Sequence, residues 1–416
     1  MPWFHRPELV SRWLADFITS QMRQLRPQYA PPGAFTNQMR LDRSTADIDS
    51  IELIEVASAL YLALDAESSG ALNDYAEQHG NLGQDFGAWC KFVRFAAEKS
   101  PTLWFQSSGS TGQRRWISHQ LAHLEAEVRE VAAIVLEGGH RTRRVVSVMP
   151  AHHVYGFLFG TLLPAMLDVP MLHARGGAPA MLRAQLKPGD VLVAHPNFWS
   201  GALLTSHANS QNALFPADVL GFSAGQALPD ALFIAAKRAG LARLIELYGA
   251  TETAGIGWRD SDIRFTLLSR YRWANASGNT LIDGFAKQSL TVHPPDLIER
   301  ANDQFLVLGR VDRVLQIAGQ NVHLDAVEAR LAEFPGVEMA RVRCMPADDP
   351  HARLHAFIVC QQSINSSDLR SFASAHLQTA EIPQSYTFGA ELPKTEAGKE
   401  CDWVVDRASR FPRATP

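Results

Sequence analysis

The chain has 416 residues, of which 46% are hydrophobic and 20% charged, with a formal net charge of −4. This length allows two or three domains, and the charge gives no reason to expect nucleic acid or an anionic membrane as the main partner. Four scattered cysteines without zinc-ligand spacing indicate a reduced, cytoplasmic protein. The start, MPWFHRPELV, lacks the apolar core of a signal peptide, and the run YGFLFGTLLPAML is too short to cross a bilayer.

The first hundred residues, 1–100, are predicted to form a helical region of their own. Residues Glu8 to Leu25 have helical periodicity, and DIDSIELIEVASALYLAL predicts a second, strongly apolar helix. In that second segment Asp49 is placed as the N-cap and Glu52, three residues on, as its capping partner.

From Pro101 onward, short apolar runs alternate with segments of helical spacing. The predicted buried strands are VVSVM, VLVA, VLGFS and LIELY, which begin at Val145, Val191, Val219 and Leu244. Apolar residues at helical spacing from Leu121 to Val135 predict a helix before them. This alternation is typical of an α/β domain with parallel strands, here assigned to residues 101–308.

The pattern changes after about Gly309, which indicates a smaller α+β domain over residues 309–416. Two helices are predicted at LDAVEARLAEF and SDLRSFASAHL, and two strands at VEMARVRCM and LHAFIVCQ. The polar segment HPPDLIERANDQ precedes this region and favours a boundary between Gly309 and Asp312.

The segment FQSSGSTGQRR combines glycines, hydroxyl groups and two arginines in one loop. Gly109 and Gly112 allow a tight turn that aims several N–H groups at one point, and Arg114 and Arg115 add positive charge. The loop follows the predicted strand TLWFQ and precedes the helix that begins near Leu121. It suits a triphosphate but is not a Walker motif, and by itself a Gly/Ser turn is more often only a turn.

Five motifs in a fixed order make the phosphate interpretation stronger. After FQSSGSTGQRR come SAGQALP, ELYGATETAG, GRVDRVLQIAGQNVHLDAVE and LPKTEAGKE. Together they resemble the signature segments of the adenylate-forming superfamily, which includes acyl- and aryl-CoA ligases, peptide-synthetase adenylation domains and luciferases. The resemblance implies a large, here shortened, N-terminal α/β domain and a smaller mobile α+β C-terminal domain. It also implies ATP and Mg²⁺ as cofactors.

The resemblance assigns a nucleotide-binding role to residues in each motif. The phosphate loop would cradle the β- and γ-phosphates, Tyr248 would stack on adenine, and Asp296 would bind ribose. The full set implied for ATP or AMP is Ser108, Gly109, Ser110, Thr111, Gly112, Arg115, Gly225, Gln226, Ala227, Tyr248, Gly249, Asp296 and Arg310. The plain structural alternatives are a strand-to-helix turn for the loop and a core tyrosine for Tyr248.

The same resemblance implies the catalytic residues Lys399, Thr251 and His153, with Glu252 as the Mg²⁺ ligand and Asp312 as the hinge. Lys399 would bridge the carboxylate and the α-phosphate, which Thr251 would also touch. The acid pocket would comprise His153, Val154, Tyr155, Gly156, Ala224, Gly249 and Ala250. A satisfied core histidine is the alternative for His153, and a solvated loop carboxylate for Glu252.

This sequence departs from the superfamily pattern at several places, one of which is Pro294 and Pro295 in place of the Thr-Gly that normally precedes the ribose-binding aspartate. Arg114 and Arg115 stand where the phosphate loop normally ends in Pro-Lys, and an arginine is bulkier and binds in a bidentate way. Gln316 stands where the hinge segment normally has a lysine, and Asp402 lies where an arginine commonly follows the catalytic lysine.

The compact layout resembles stand-alone aryl ligases of bacterial aryl-polyene and related pigment pathways. That resemblance implies a small aromatic acid, with 3- or 4-hydroxybenzoate as the first choice, and an acyl carrier protein or CoA as acceptor. The aromatic segments HHVYGF and AHPNFW fit a planar acid, and no equivalent of the aspartate that holds an amino acid substrate is found. The alternatives are another acyl-CoA ligase for a short or medium acid, or a non-catalytic relative that binds nucleotide or aryl acid.

One further motif concerns the N-terminal region. DIDSIELIEV is similar to the Asp-Ser-Leu helix start of carrier proteins, where the serine takes phosphopantetheine, so Ser50 is a candidate modification site. The alternatives are a capped amphipathic helix and a relic carrier fold with a structural role.

Overall fold

The computed structural model describes residues 2–107, 115–174, 179–204, 214–225, 227–275, 280–284, 290–310, 314–317, 320–345 and 353–391. The described residues divide into two compact units, one containing 2–107 with 115–310 and the other containing 314–391. Within these residues, no helix is long and apolar enough to cross a membrane.

The chain begins with four helices, α1 Pro7–Leu25, α2 Ser50–Ala63, α3 Ala71–His79 and α4 Phe86–Lys99. The predicted capping box of α2 is confirmed. The Asp49 side chain accepts the N–H of Glu52 at 2.9 Å, and the Glu52 carboxylate accepts the N–H of Asp49 at 2.9 Å. Two N–H groups at the start of the helix thereby gain partners, which fixes where α2 begins.

The first unit contains most of the strands of the described residues. They are β1 Thr102–Ser107, β2 Arg115–Gln120, β3 Arg144–Ser147, β4 Met171–His173, β5 Asp190–Ala194, β6 Leu220–Ala224, β7 Arg243–Ala250, β8 Ala254–Arg259, β9 Phe265–Leu267, β10 Tyr271–Trp273, β11 Leu281–Asp283, β12 Leu290–Val292, β13 Asp296–Ala301 and β14 Gln304–Arg310. Nine of them form one sheet in the order β13-β14-β9-β8-β7-β6-β5-β3-β4 among the described residues.

The predicted parallel core is confirmed in this sheet. Strands β4, β3, β5, β6 and β7 pair in parallel, whereas β7 to β9, β13 and β14 pair antiparallel. Every residue of β5 and β6 is buried, because a parallel sheet is covered on both faces and its strands are continuous apolar runs.

Further helices surround the sheet, namely α5 Leu121–Leu136, α6 Val154–Phe157, α7 Leu163–Leu167, α8 Pro179–Arg183, α9 Pro196–Leu204 and α10 Asp230–Arg238. A π-helical turn, Leu158–Leu162, joins α6 to α7. Val191 and Val193 of β5 belong to the core that also contains Trp3, whereas the alternate residue Leu192 belongs to a second core with Trp199 of α9. The N-terminal helices therefore share one core with one face of the sheet.

The segment around the predicted phosphate loop differs from the expected strand–loop–helix order. Residues Arg115–Gln120 form β2, which pairs antiparallel with β1 from Ser107↔Arg115 to Thr102↔Gln120. Helix α5 begins only at Leu121, after this second strand. Residues 108–114, which contain the predicted phosphate loop, lie outside the described residues.

The second unit contains β15 Val314–Ile317, β16 Gln320–His323, α11 Leu324–Ala332, β17 Met339–Met345, β18 Arg353–Val359, α12 Ser366–His376 and β19 Ser385–Gly389. Both helices and both strands predicted for this region are present. Strand β18 pairs antiparallel with β17 and parallel with β19. Alternate residues of these strands, such as Val342 and Leu354, pack with Leu331 of α11 and Leu369 of α12 in one core.

Candidate functional site

Two predicted nucleotide residues meet at the end of β7. The Tyr248 hydroxyl donates a hydrogen bond to Oδ2 of Asp296, the first residue of β13, at 2.6 Å. Asp296 is buried, and the Tyr248 ring lies 5.5 Å from the ring of Phe265 and 5.4 Å from that of Phe305. The aromatic packing and the hydrogen bond together fix the ring orientation of Tyr248.

The turn that follows β7 has little room for side chains on its inner side. A Cβ at Gly249 would lie 2.0 Å from the carbonyl oxygen of Ala254, so the hairpin closes this tightly only with glycine. The N–H of Ala250 donates to Oγ1 of Thr253 at 3.0 Å, and Ala254 has a left-handed φ of 56°. Ligands of open α/β sheets bind at the carboxyl ends of the strands, which is where this turn lies.

Thr251 and Glu252 are the outward-facing residues of that turn. Thr251 is half-buried and Glu252 is exposed. The described residues include no cluster of three or more His, Cys, Asp or Glu side chains that could hold a metal ion. A lone exposed carboxylate fits Mg²⁺ held mainly by phosphates and water, because this ion is usually bound through one or two carboxylates.

The turn is anchored by side chains that sequence reasoning missed. Nε2 of His119, on β2, lies 2.7 Å from the carbonyl oxygen of Thr251. Both carboxylate oxygens of Glu127, on α5, lie 3.0 Å from the backbone nitrogen of Gly255. Burial raises the pKa of Glu127 to about 7, against the opposing charge of Arg270, and burial lowers the pKa of His119. No local signal in the sequence indicates these contacts.

The segment SAGQALP begins with the last two residues of β6 and leaves the strand through a glycine. Gly225 has a φ of +91°, which favours glycine because it lacks a Cβ. Ala224 is buried at the end of β6 and Ala227 is exposed, whereas Gln226 lies outside the described residues.

A buried ion pair holds the next part of that segment. Glu246 accepts the N–H of Leu228 at 2.8 Å and the Nε–H of Arg259 at 2.6 Å, and Arg259 donates to the carbonyl oxygen of Leu228 at 2.8 Å. Burial raises the pKa of Glu246 to about 7, although Arg259 acts in the opposite direction. The pair fixes the backbone on the carboxyl side of the predicted adenine segment.

The predicted acid-pocket segment, PAHHVYGF, begins helix α6. His153 occupies the N-cap position and is half-buried, and its ring lies 4.1 Å from that of His152. Val154 is buried, and the Tyr155 hydroxyl donates to the carbonyl oxygen of Ala194 at 3.4 Å. Burial raises the pKa of Tyr155 well above its ordinary value.

Position 156 requires glycine because the backbone of Pro150 approaches it closely. A Cβ at this position would lie 1.9 Å from the carbonyl oxygen of Pro150. This glycine therefore allows α6 to start directly against the loop that precedes it.

The loop before α6 is held by two charged residues of α1, which sequence reasoning also missed. Arg12 donates to the carbonyl oxygens of Met149 at 2.6 Å and Gly160 at 2.8 Å. Asp16 accepts the N–H of Ala151 at 2.8 Å. Both side chains are buried, so the N-terminal helix supports the acid-pocket segment through hydrogen bonds with little competition from water.

Two predicted phosphate or ribose residues lie at strand ends, and eight other predicted residues lie outside the described part of the chain. Arg115 begins β2 and is exposed, and Arg310 ends β14. The remaining predicted residues lie outside the described ranges, namely Ser108, Gly109, Ser110, Thr111, Gly112, Gln226, Asp312 and Lys399. Their roles stay predictions.

Comparisons with known proteins show the family of the chain. A family model described as AMP-binding enzyme matches residues 38–274, more than half of the chain. The chain is 32% identical over 406 residues to a 4-coumarate–CoA ligase of Rhodobacter capsulatus, covering 95% of this chain and 100% of the relative. It is 24% identical to a 4-chlorobenzoate–CoA ligase of an Arthrobacter species, over 85% of this chain and 71% of the relative.

A solved structure shares the fold over nearly the whole chain. It is an o-succinylbenzoate CoA synthetase from Bacillus subtilis, with a TM-score of 0.58 and 15% identity, over 95% of this chain and 92% of that structure. The fold and the family match together define an adenylate-forming enzyme of the acid–thiol ligase class, which uses ATP and forms AMP. The chain belongs to the AMP-binding enzyme family.

Proposed function

We propose that the protein activates a small aromatic carboxylic acid with ATP and then transfers the acyl group to a thiol. The observation that carries this proposal is the pairing of Tyr248 with Asp296 beside the Thr251–Glu252 turn, in a chain of the AMP-binding family. Near the carboxyl end of β7, Tyr248 provides an aromatic ring and Asp296 a buried carboxylate. Glu252 provides an exposed carboxylate that could bind a metal ion.

The first half-reaction makes an acyl-adenylate. A carboxylate oxygen of the acid attacks the α-phosphorus of ATP, and pyrophosphate leaves. Tyr248 stacks on adenine, Asp296 binds the ribose, and Thr251 and Lys399 contact the α-phosphate region. Bound Mg²⁺ supplies charge neutralisation to the phosphates, and Glu252 is the residue that would hold it. The loop at Ser108–Gly112 and Arg115 would bind the outer phosphates.

The second half-reaction transfers the acyl group. A thiolate attacks the carbonyl carbon of the acyl-adenylate, and AMP leaves with the bonding electrons. The small domain would reorient about Asp312 between the two steps. CoA is the acceptor named for the relatives, and an acyl carrier protein is the alternative acceptor.

Two acid classes are proposed. The segment around His153, Val154 and Tyr155, with its neighbouring aromatic groups, supports a planar acid such as 3- or 4-hydroxybenzoate. The similarity to relatives named for 4-coumarate favours a hydroxycinnamate as the second candidate. The two classes share a ring bearing a hydroxyl and differ in the distance from ring to carboxylate.

A pyrophosphate-release assay with a panel of acids tests the proposal. The panel contains 3-hydroxybenzoate, 4-hydroxybenzoate, 4-coumarate and a long-chain fatty acid, each with CoA and with a phosphopantetheinylated carrier protein, whose thiol is free, as acceptor. We expect ATP-dependent release with an aromatic acid and near-complete loss in Lys399→Ala. Lys237→Ala, an exposed lysine on α10, is the matched control and should keep wild-type activity. Robust turnover of the fatty acid with none of the aromatic acids would overturn the substrate proposal.

A further inference from the structure

The Thr251–Glu252 turn is held at both ends by side chains from outside its own motif. His119 contacts the carbonyl oxygen of Thr251 at 2.7 Å, and Glu127 contacts the N–H of Gly255 at 3.0 Å through both carboxylate oxygens. A third contact, from the Tyr271 hydroxyl to the carbonyl oxygen of Thr253 at 3.0 Å, lies between them. The backbone of the turn is thus fixed over five consecutive residues.

His119 connects this turn to the hairpin that carries the predicted phosphate loop. It lies on β2, the strand that starts at Arg115 immediately after that loop, and its ring meets Phe105 of β1 edge-on at 5.9 Å. A carbonyl oxygen only accepts, so Nε2 of His119 must carry the proton that it donates to Thr251. This hydrogen bond therefore links the position of β2 to the backbone of Thr251.

Glu127 is itself held in place by a buried ionic group. Nη1 of Arg270 lies 3.7 Å from its Oε2, and Arg270 also donates to Asp283 at 2.5 Å and to the carbonyl oxygen of His123 at 2.8 Å. A Cβ at Gly255 would lie 2.3 Å from Oε1 of Glu127, so the carboxylate reaches the backbone only because residue 255 is glycine. This close contact fixes the direction in which the Gly255 N–H points.

We propose that His119 and Glu127 are positioning residues that set the places of Thr251 and Glu252 relative to the bound nucleotide. The inference rests on the proposed roles of Thr251 and Glu252. The outward-facing side chains of the turn are half-buried or exposed, so packing alone constrains them weakly. Adenylation needs the α-phosphorus aligned with the attacking oxygen, and small misplacements at such a site have large effects on rate.

The primary experiment compares His119→Ala, His119→Gln and wild type in pyrophosphate exchange. We expect His119→Ala to lower kcat/KM for ATP by about tenfold or more, with the KM for the acid unchanged. His119→Gln retains an N–H donor near the position of Nε2 and should recover most of that loss. Ser118→Ala, its exposed neighbour on β2, is the matched control and should behave as wild type.

Glu127→Gln tests the second anchor. It keeps an oxygen that accepts the Gly255 N–H but loses the charge opposite Arg270, so we expect a smaller loss than for His119→Ala and the same selectivity for ATP over acid. Thermal unfolding of each variant separates loss of fold from loss of positioning. Unchanged ATP parameters in folded His119→Ala and Glu127→Gln, or an equal rise of both KM values, would overturn the inference.

Calorimetric titration with ATP and Mg²⁺ gives a second readout that needs no acid. If wild type binds ATP but adenylates none of the tested aromatic acids, the proposed substrate fails while this titration still tests the anchors. Weaker binding in His119→Ala that His119→Gln restores would support positioning. Equal ATP affinity in all three proteins, together with unchanged exchange kinetics, would refute the inference.

Discussion

Replacing Gly156 with alanine should disturb the acid-pocket segment far more than a glycine-to-alanine change at a position with free space around it. The new Cβ would lie 1.9 Å from the carbonyl oxygen of Pro150. Carbon–oxygen contacts are normally about 3.3 Å or longer, so the two atoms must separate by about 1.4 Å. The Pro150 carbonyl oxygen belongs to the backbone, and no side-chain rotation can relieve the contact.

The magnitude follows from what holds that backbone in place. Residues on either side of Pro150 are bound to α1, Met149 through Arg12 and Ala151 through Asp16. Overpacking a buried site costs about 1–3 kcal/mol, and a hydrogen bond to a charged group contributes about 1.5–3 kcal/mol. If the loop yields and one such bond is lost, the two costs add and the free energy of unfolding should fall by about 2.5–6 kcal/mol.

Urea denaturation measures the loss of stability, and the acid KM in pyrophosphate exchange measures the effect on the pocket. Gly33→Ala is the control, since a Cβ there has no heavy atom within 4 Å. It should change the free energy of unfolding by less than about 1 kcal/mol. If Gly156→Ala stays within about 0.5 kcal/mol of wild type and keeps its acid KM, the packing argument is refuted.

Three further changes test other parts of the first unit. Tyr248→Phe removes the hydroxyl bound to Asp296 and should raise the ATP KM several-fold in pyrophosphate exchange, with the acid KM unchanged. Asp49→Ala removes the α2 cap and should lower the free energy of unfolding by about 1 kcal/mol in urea. Glu246 binds its proton more tightly when folded, because its pKa is raised from 4.5 to about 7. The contribution of Glu246 to stability should therefore fall by about 3 kcal/mol at most as pH rises through this range and level off above it. Glu127, whose pKa is also raised to about 7, adds a slope of the same sign, so Glu246→Gln should show a shallower pH dependence than wild type in urea titrations at several pH values.

The parallel sheet could be predicted because its information is local. The runs that became β5 and β6 are mostly apolar and are buried at every position, which suits a strand covered on both faces. The capping box of α2 is equally local, with Asp49 and Glu52 three residues apart. Strand β2 was missed because Arg115–Gln120 mixes polar and apolar residues and pairs with β1 only across the intervening loop.

The site residues that belong to sequence motifs could be predicted. The buried charged residues that hold the motif backbones in place could not. Tyr248 and Asp296 came from separate motifs, and the structure adds the hydrogen bond between them, 48 positions apart. Arg12 and Glu127 lie on helices, where a charged residue is ordinarily solvated. Their burial depends on partners 137 and 128 positions away, respectively, which no window of the sequence contains.

Ser50 tests whether the N-terminal region behaves as a carrier or as part of the enzyme body. Ser50 is exposed at the first position of α2, so access does not prevent its modification. A carrier, however, must present its serine as a separate domain, whereas residues 2–107 share one compact unit and one core with the sheet. The Trp3 ring, for example, meets Phe157 of α6 edge-on at 5.2 Å.

We therefore expect the intact mass to stay unchanged after incubation with a phosphopantetheinyl transferase and CoA, while an authentic carrier protein in the same tube gains the group. A mass gain that disappears in Ser50→Ala would contradict this. A chain lacking residues 1–100 would lose Arg12 and Asp16 and expose the face of the sheet that contains Val191. That truncated chain should be insoluble or unfolded by circular dichroism, and a folded, acid-activating fragment would show that the N-terminal region is dispensable.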